Sequence, residues 1–200
     1  MDIHTLPLGP LQTNCYLVSG PEHGRCVLID PGAQGQKLLA CLQETGLTPA
    51  AVLLTHGHFD HTGALKTLTE LYSLPVYVHA ADTDEATNMS HGNLIYTDTY
   101  ADGDEITAAG LTFRVLHTPG HTAGSVCLLC GDTLFSGDTL FAGSMGRTDF
   151  PGGSDRDMMA SLRRLGALTG EYAVLPGHGE STSLEAERRY NPYLREAMSR

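Results

Sequence analysis

Two hundred residues with 41% hydrophobic and 18% charged side chains are enough for one globular domain, burying roughly 70% of its unfolded surface, and unlike a disordered chain. The formal charge of −11 is spread along the chain without a basic run, which excludes the electrostatic footprint of a nucleic-acid or anionic-membrane binder. The stretch MDIHTLPLGPLQTNCYLVSG has no basic leader, no long apolar core and no spanning segment, and the five cysteines are odd in number and scattered, so a single cytoplasmic domain over residues 1–200 is expected.

In chain order, CYLVSG and CVLIDPG read as two strands joined by a short turn-rich segment, hence an antiparallel pair. The second ends at Asp30, whose DPG setting is explained by turn chemistry, with a role orienting a metal ligand as the rival reading. A helix is predicted over Gly35 to Thr45, with Leu38, Leu39 and Leu42 on one face, and the strand AVLLTHGH follows. A second helix is predicted over Thr62 to Ser73, with Leu65, Leu68 and Leu71 in register. LTFRVLH and SVCLLCG form another antiparallel pair. Cys127 and Cys130 in the latter stand three apart on a strand, so they point to opposite faces and read as buried cysteines rather than a redox or zinc pair. A third helix is predicted over Ser154 to Leu168, opening on Ser154 with Asp157 three positions later, and SLEAERRY offers a fourth before Pro192. Strands alternating with helices in this way predict mixed sheets covered by helices, a layered α/β or α+β domain.

Five apolar runs end abruptly in a polar residue: Asp30, His56, His121, Asp138 and His178. Loops at one edge of a sheet are where a rigid scaffold aims functional side chains, so these strand ends are candidates for one shared site. In THGHFDHTG, His56 and His58 are two apart at a strand exit and project to the same side, whereas Asp60 and His61 follow in a turn and point elsewhere. Two ligand groups in one turn call for two metals, the helical H-E-x-x-H arrangement being absent. His121, Asp138 and His178 supply the remaining donors: His56, His58 and His121 for one ion, Asp60, His61 and His178 for the other, and Asp138 as a carboxylate able to bridge. The imidazole-rich set favours two zinc ions, with iron or manganese as alternatives. His4, His23, His79, His91 and His117 have no ligand partner nearby and read as surface or hydrogen-bonded residues.

THGHFDH, TPGHTAGS, SGDTLF and LPGHG, in that order, resemble the motif pattern of the metallo-β-lactamase superfamily, and they run through most of the chain. Within it, GDTLFAGSMGRTDFPGGS and LPGHGESTSLEAERRYNPYL look like the glyoxalase II group of thiolester hydrolases, in a short bacterial form ending soon after the last ligand and one short helix. The resemblance implies an αββα sandwich with the metals at one edge of the two sheets, and the ligand assignment given above. It further implies hydrolysis of an acyl thiolester, in the glyoxalase case one derived from glutathione, by a metal-activated hydroxide that Asp60 helps to orient. A thiolate leaves without a general acid, which an amide nitrogen would require. Arg147, the one cation of GSMGRTDFPGG, is expected to bind a substrate carboxylate, or else to pair locally with Asp149 or Asp155, and Phe59 to wall the substrate pocket or pack under its loop. The rivals are a persulfide dioxygenase with one iron on His56, His121 and Asp138, whose family shares GRTDF, a metallo-hydrolase of another ester or lactone, and a non-catalytic metal-binding module.

Overall fold

The structure, a computed structural model, describes residues 1–92 and 94–199. Its first half opens with β1 (Asp2–Leu8), β2 (Thr13–Ser19) and β3 (Arg25–Ile29), an antiparallel set. From β3 the chain crosses through α1 (Gly35–Thr45) to β4 (Thr48–Leu53), and then through α2 (Phe59–Thr62) and α3 (Leu65–Leu71) to β5 (Val76–His79). With β6 (Asp98–Tyr100) these strands make a six-stranded sheet in sequential order, its β3 to β6 portion parallel. The second half supplies β7 (Glu105–Ala108), β8 (Leu111–His117), β9 (Val126–Cys130) and β10 (Thr133–Gly137), then a small hairpin of β11 (Leu140–Phe141) and β12 (Ser144–Met145). After α4 (Asp155–Gly166), β13 (Ala173–Pro176) pairs parallel to β10, β14 (Thr182–Ser183) forms the edge, and α5 (Leu184–Tyr190) and α6 (Pro192–Ser199) follow. The second sheet runs β14-β13-β10-β9-β8-β7.

Strict two-residue alternation stacks these sheets. Cys15, Leu17, Cys26 and Leu28 face outward beneath α1 and α3, while Tyr16, Val18, Val27 and Ile29 on the same strands face the other sheet. In the second sheet Val115, Leu128 and Phe135 meet them, and Leu116, Cys127 and Leu134 face α4, α5 and α6. The result is the helix–sheet–sheet–helix layering of an αββα sandwich. Cys127 and Cys130 fall in different layers, and all five cysteines are free. Among the described residues no helix is long and apolar enough to cross a membrane.

One helix prediction is corrected and one helix is added. The helix expected over Thr62 to Ser73 begins at Phe59 and is broken at Gly63 and Ala64. There the backbone N–H groups donate to Gly32 and Pro31 carbonyls, both at 2.9 Å, rather than to the helix itself. Gly63 permits this approach, since a Cβ on it would collide with the Gly32 carbonyl. Asp60 and His61 therefore project from the first helical turn instead of a preceding loop. The helix read in SLEAERRY before Pro192 is α5, and a second helix follows it, because Asn191 caps it: its Oδ1 accepts from Tyr193 N at 2.9 Å and Leu194 N at 3.2 Å, with Pro192 at the first position. The Ser154 start holds as read, its hydroxyl accepting from Asp157 N at 3.2 Å.

Candidate metal centre

The five polar strand ends meet at one edge of the sandwich. Beyond β4 the chain stays extended, so His56 and His58 reach the same point: His58 Nδ1 lies 3.1 Å from His56 Nε2 and 2.9 Å from His121 Nε2, the latter carried past β8. In the neighbouring group His178 Nε2, beyond β13, stands 3.1 Å from Asp60 Oδ2, and His61 Nε2 is 3.6 Å from the same oxygen. Asp138, after β10, lies between them, with Oδ2 3.6 Å from His121 Nε2 and 3.5 Å from His178 Nε2, and Oδ1 3.5 Å from His61 Nε2. The ligand atoms of His56, His58 and His121 fall within 4.8 Å of one another, as do those of Asp60, His61 and His178.

Hydrogen bonds on the outer ring nitrogens decide which nitrogen faces inward. The Nδ1 atoms of four rings are engaged: His56 with Thr55 Oγ1 at 3.1 Å, His61 with Asp30 Oδ2 at 2.9 Å, His121 with the Arg147 carbonyl at 2.8 Å and His178 with the Leu11 carbonyl at 3.1 Å. Each presents Nε2 to the centre, and His58 presents Nδ1. Asp30 is thus more than a turn residue. Its backbone takes φ 50°, and its carboxylate also accepts from Thr55 N at 2.7 Å and Thr55 Oγ1 at 2.6 Å. Thr13 Oγ1 donates to Asp60 Oδ2 at 3.2 Å.

A cation fits this donor set. His61 Nε2 and Asp138 Oδ1 are buried without a hydrogen-bond partner, a cost of about 1–3 kcal/mol each that a bound ion would remove. Burial, reinforced by the surrounding rings, lowers the His56 imidazole well below its ordinary range and takes His58 to about 3, so both are neutral donors. The other group attracts positive charge. Burial works against the charged form of His61, yet Asp30, Asp138 and Asp60 outweigh it and push the ring up to about 9. Burial likewise opposes ionisation of Asp60, but the His178 hydrogen bond and His61 hold it far below the usual carboxylate range. Glycine clears the space: a Cβ on Gly177 would strike the Asp138 carboxylate and lie 2.7 Å from His61 Cε1.

Asp82 is a supporting residue that motif reading does not find. It is buried, and accepts from Gly57 N at 2.8 Å, Thr122 Oγ1 at 2.8 Å and Gly124 N at 2.6 Å, tying the His56–His58 segment to the loop that carries His121. Burial raises its carboxyl despite these bonds. Its only local signal is an aspartate just past a strand, and the partners lie 25, 40 and 42 positions away.

A cavity of about 530 Å³ opens over the centre and is floored by His58, Asp60, His121, Asp138 and His178. Phe59 lines it and also contacts His91, ring centroids 5.4 Å apart. Arg147 lines it too, but its guanidinium is held by Asp149 through two bonds of 2.7 Å and lies 3.8 Å over the Phe150 ring. Asp155 is engaged instead by Thr148. Phe141, Ser144 and Met145 reach the cavity from the β11–β12 hairpin, which is anchored from the C-terminal helices. Glu187 Oε2 accepts from Gly143 N and from Asn191 Nδ2, both at 2.8 Å, and Asn191 Nδ2 also donates to the Ser144 carbonyl at 2.9 Å. Of the isolated histidines, His79 and His117 stack with centroids 4.1 Å apart, His79 Nδ1 accepting from Ala81 N and His117 Nε2 standing 2.9 Å from the Ala123 carbonyl.

Comparison with known proteins places this geometry in a family. The Metallo-beta-lactamase superfamily model matches residues 8–178. The chain is 31% identical to the hydroxyacylglutathione hydrolase GloC of Haemophilus influenzae, with 97% of this chain and 98% of that protein covered. Among solved structures it is similar to TTHA1623 in a di-iron-bound form, at TM-score 0.85 and 43% identity over 95% of this chain and 99% of that one. It is also similar to the B3 metallo-beta-lactamase BLEG-1, at TM-score 0.89 and 36% identity over 96% and 99%.

Proposed function

The chain belongs to the metallo-β-lactamase superfamily, whose members hold binuclear metal centres, and we propose that it is a metal-dependent hydrolase of acyl thiolesters. His56, His58 and His121 would hold one ion and Asp60, His61 and His178 the other, and Asp138 lies between the two groups. Zinc is the proposed metal on the imidazole-rich donor set, with iron, as in the di-iron form of TTHA1623, or manganese as the alternatives that metal analysis decides. A bound metal pair supplies Lewis acidity and activates water near neutral pH.

The residues of the chain do the rest. Thr13 and His178 fix Asp60, whose carboxylate borders the cavity floor and orients the attacking water. Asp30 and Thr55 lock the His61 and His56 rings, so the donor positions are set before substrate arrives. The observation that carries the thiolester reading is the cavity's lack of a spare acid. Among its described lining residues both carboxylates sit in the ligand clusters, and there is no Glu, Lys, Tyr or Cys to protonate a leaving group. A thiolate, with a pKa near 8.5, departs without that proton, whereas an amine does not. Similarity to GloC supports the same reaction type.

The test is turnover by the metal-loaded protein of an acyl thiolester beside a β-lactam, a lactone and glutathione persulfide. Thiolester hydrolysis at least about a hundred-fold faster than lactam cleavage is expected, in keeping with the missing acid. Persulfide-dependent oxygen uptake on a single iron, or faster lactam cleavage, contradicts the reading.

A further inference from the structure

The cavity above the candidate metal centre has an unusual charge balance for a site that takes a glutathione conjugate. Glutathione brings two carboxylates and one ammonium to the sulfur side of its thiolesters. Among the described residues lining the cavity Arg147 is the one lysine or arginine, and Asp149 already neutralises it through a two-bond pair. The chain as a whole carries −11, so long-range attraction does not replace the missing local partners. Apart from Ser144, the rest of the lining above the floor is apolar: Leu11, Phe59, Met89, Phe141, Met145 and Phe150. Leu11 and Phe59 are 53% and 39% exposed, large apolar side chains left facing solvent at the mouth of a polar floor. The pair of Phe141 and Met145 stands on the hairpin that Glu187 and Asn191 pin in place, so this wall is built rather than incidental.

Resting on the thiolester reading above, we propose that the substrate's thiol portion is uncharged and apolar, and that the six-residue apolar rim recognises it in place of a glutathione tripeptide. A carboxylate brought into this rim would lose water without gaining a free side-chain cation, the ions on the floor being taken up by the acyl group and the attacking water, while an aryl or alkyl thiol would bury apolar surface against Phe59, Phe141 and Met145. Discrimination then rests on the thiol side, because the acyl carbon must sit over the ligand clusters whatever the thiol is.

The experiment holds one acyl group constant on three thiols, glutathione, N-acetylcysteamine and benzyl mercaptan, and measures kcat and KM with the metal-loaded chain. In parallel, calorimetry compares two non-hydrolysable thioethers, S-benzylglutathione and S-benzyl-N-acetylcysteamine, which differ in the charged tail. The neutral thiolesters are expected to exceed the glutathione thiolester in kcat/KM by about ten-fold or more, chiefly through KM, and the neutral thioether to bind more tightly by a similar factor, the scale of an unpartnered polar group. Met145→Lys, which adds a cation to the rim, is expected to move both ratios toward glutathione. Equal or better use of the glutathione thiolester, with tighter binding of S-benzylglutathione, overturns the inference and leaves thiolester hydrolysis standing. If no thiolester is cleaved, the reaction assignment fails instead, and the thioether ratio alone decides the rim's preference: tighter neutral binding supports it and tighter binding of the charged tail overturns it.

Discussion

Asp30 shows how much one carboxylate organises. It bonds the backbone and hydroxyl of Thr55 and one nitrogen of His61, and through Thr55 it steadies His56 as well. Asn tolerates the left-handed backbone found there, so Asp30→Asn removes the charge with little conformational cost. Metal affinity is expected to fall about 10–100-fold, read by competition with a chelator, and unchanged retention would show that His61 needs no such support. Asp82→Asn places an amide against three donors and is expected to cost about 1–3 kcal/mol in denaturant unfolding. The two ligand groups also differ in pH response. His61, raised to about 9, must release a proton to take a metal, so on acidification from pH 8 to 5 affinity at the Asp60–His61–His178 group weakens progressively. His56 is lowered and His58 stands near 3, so these two donors of the other group stay neutral over that range. Stepwise dialysis with metal analysis should therefore find one ion lost before the other. Simultaneous loss would contradict this ordering.

Local sequence spells out some elements and leaves others to tertiary contacts. The motif THGHFDH was legible because its four donors fall within six positions across one strand exit and one helical turn, and the strand ends because apolar runs stop at them. The break between α2 and α3 was not, since it depends on Gly63 and Ala64 finding carbonyls of Pro31 and Gly32, about thirty positions earlier. Asp82 escaped for the same reason, Gly57 being brought near only when β5 packs beside β4, and Thr122 and Gly124 only when the two sheets stack. Arg147 was read with its alternative, and the local pair with Asp149 is what the structure contains. The ending SLEAERRYNPYL, which carried part of the family resemblance, has a physical role at this scale: Glu187 on α5 and Asn191 before α6 hold the hairpin that walls the cavity. Glu187→Gln turns a donor NH2 toward the donors at Gly143 and Asn191 or at Thr182, and is expected to raise KM several-fold with metal content intact. Loss of metal instead would make Glu187 a support of the centre rather than of the wall.

Across the whole molecule the donors come from both halves. His56, His58, Asp60 and His61 belong to the first sheet and its crossover, and His121, Asp138 and His178 to loops of the second. Metal therefore cross-links the sandwich at one edge, and its binding is expected to stabilise the fold by about 2.7 kcal/mol per site at a hundred-fold excess over Kd. Chelation should lower Tm correspondingly. The claim that joins these scales is that two ions, held by the two clusters together, are what makes the chain a thiolester hydrolase. It is tested most directly by titrating metal into the metal-free protein while following hydrolysis of an acyl thiolester. The rate is predicted to climb to a plateau at two equivalents per chain; a plateau at one equivalent, or no hydrolysis with both clusters filled, would contradict it.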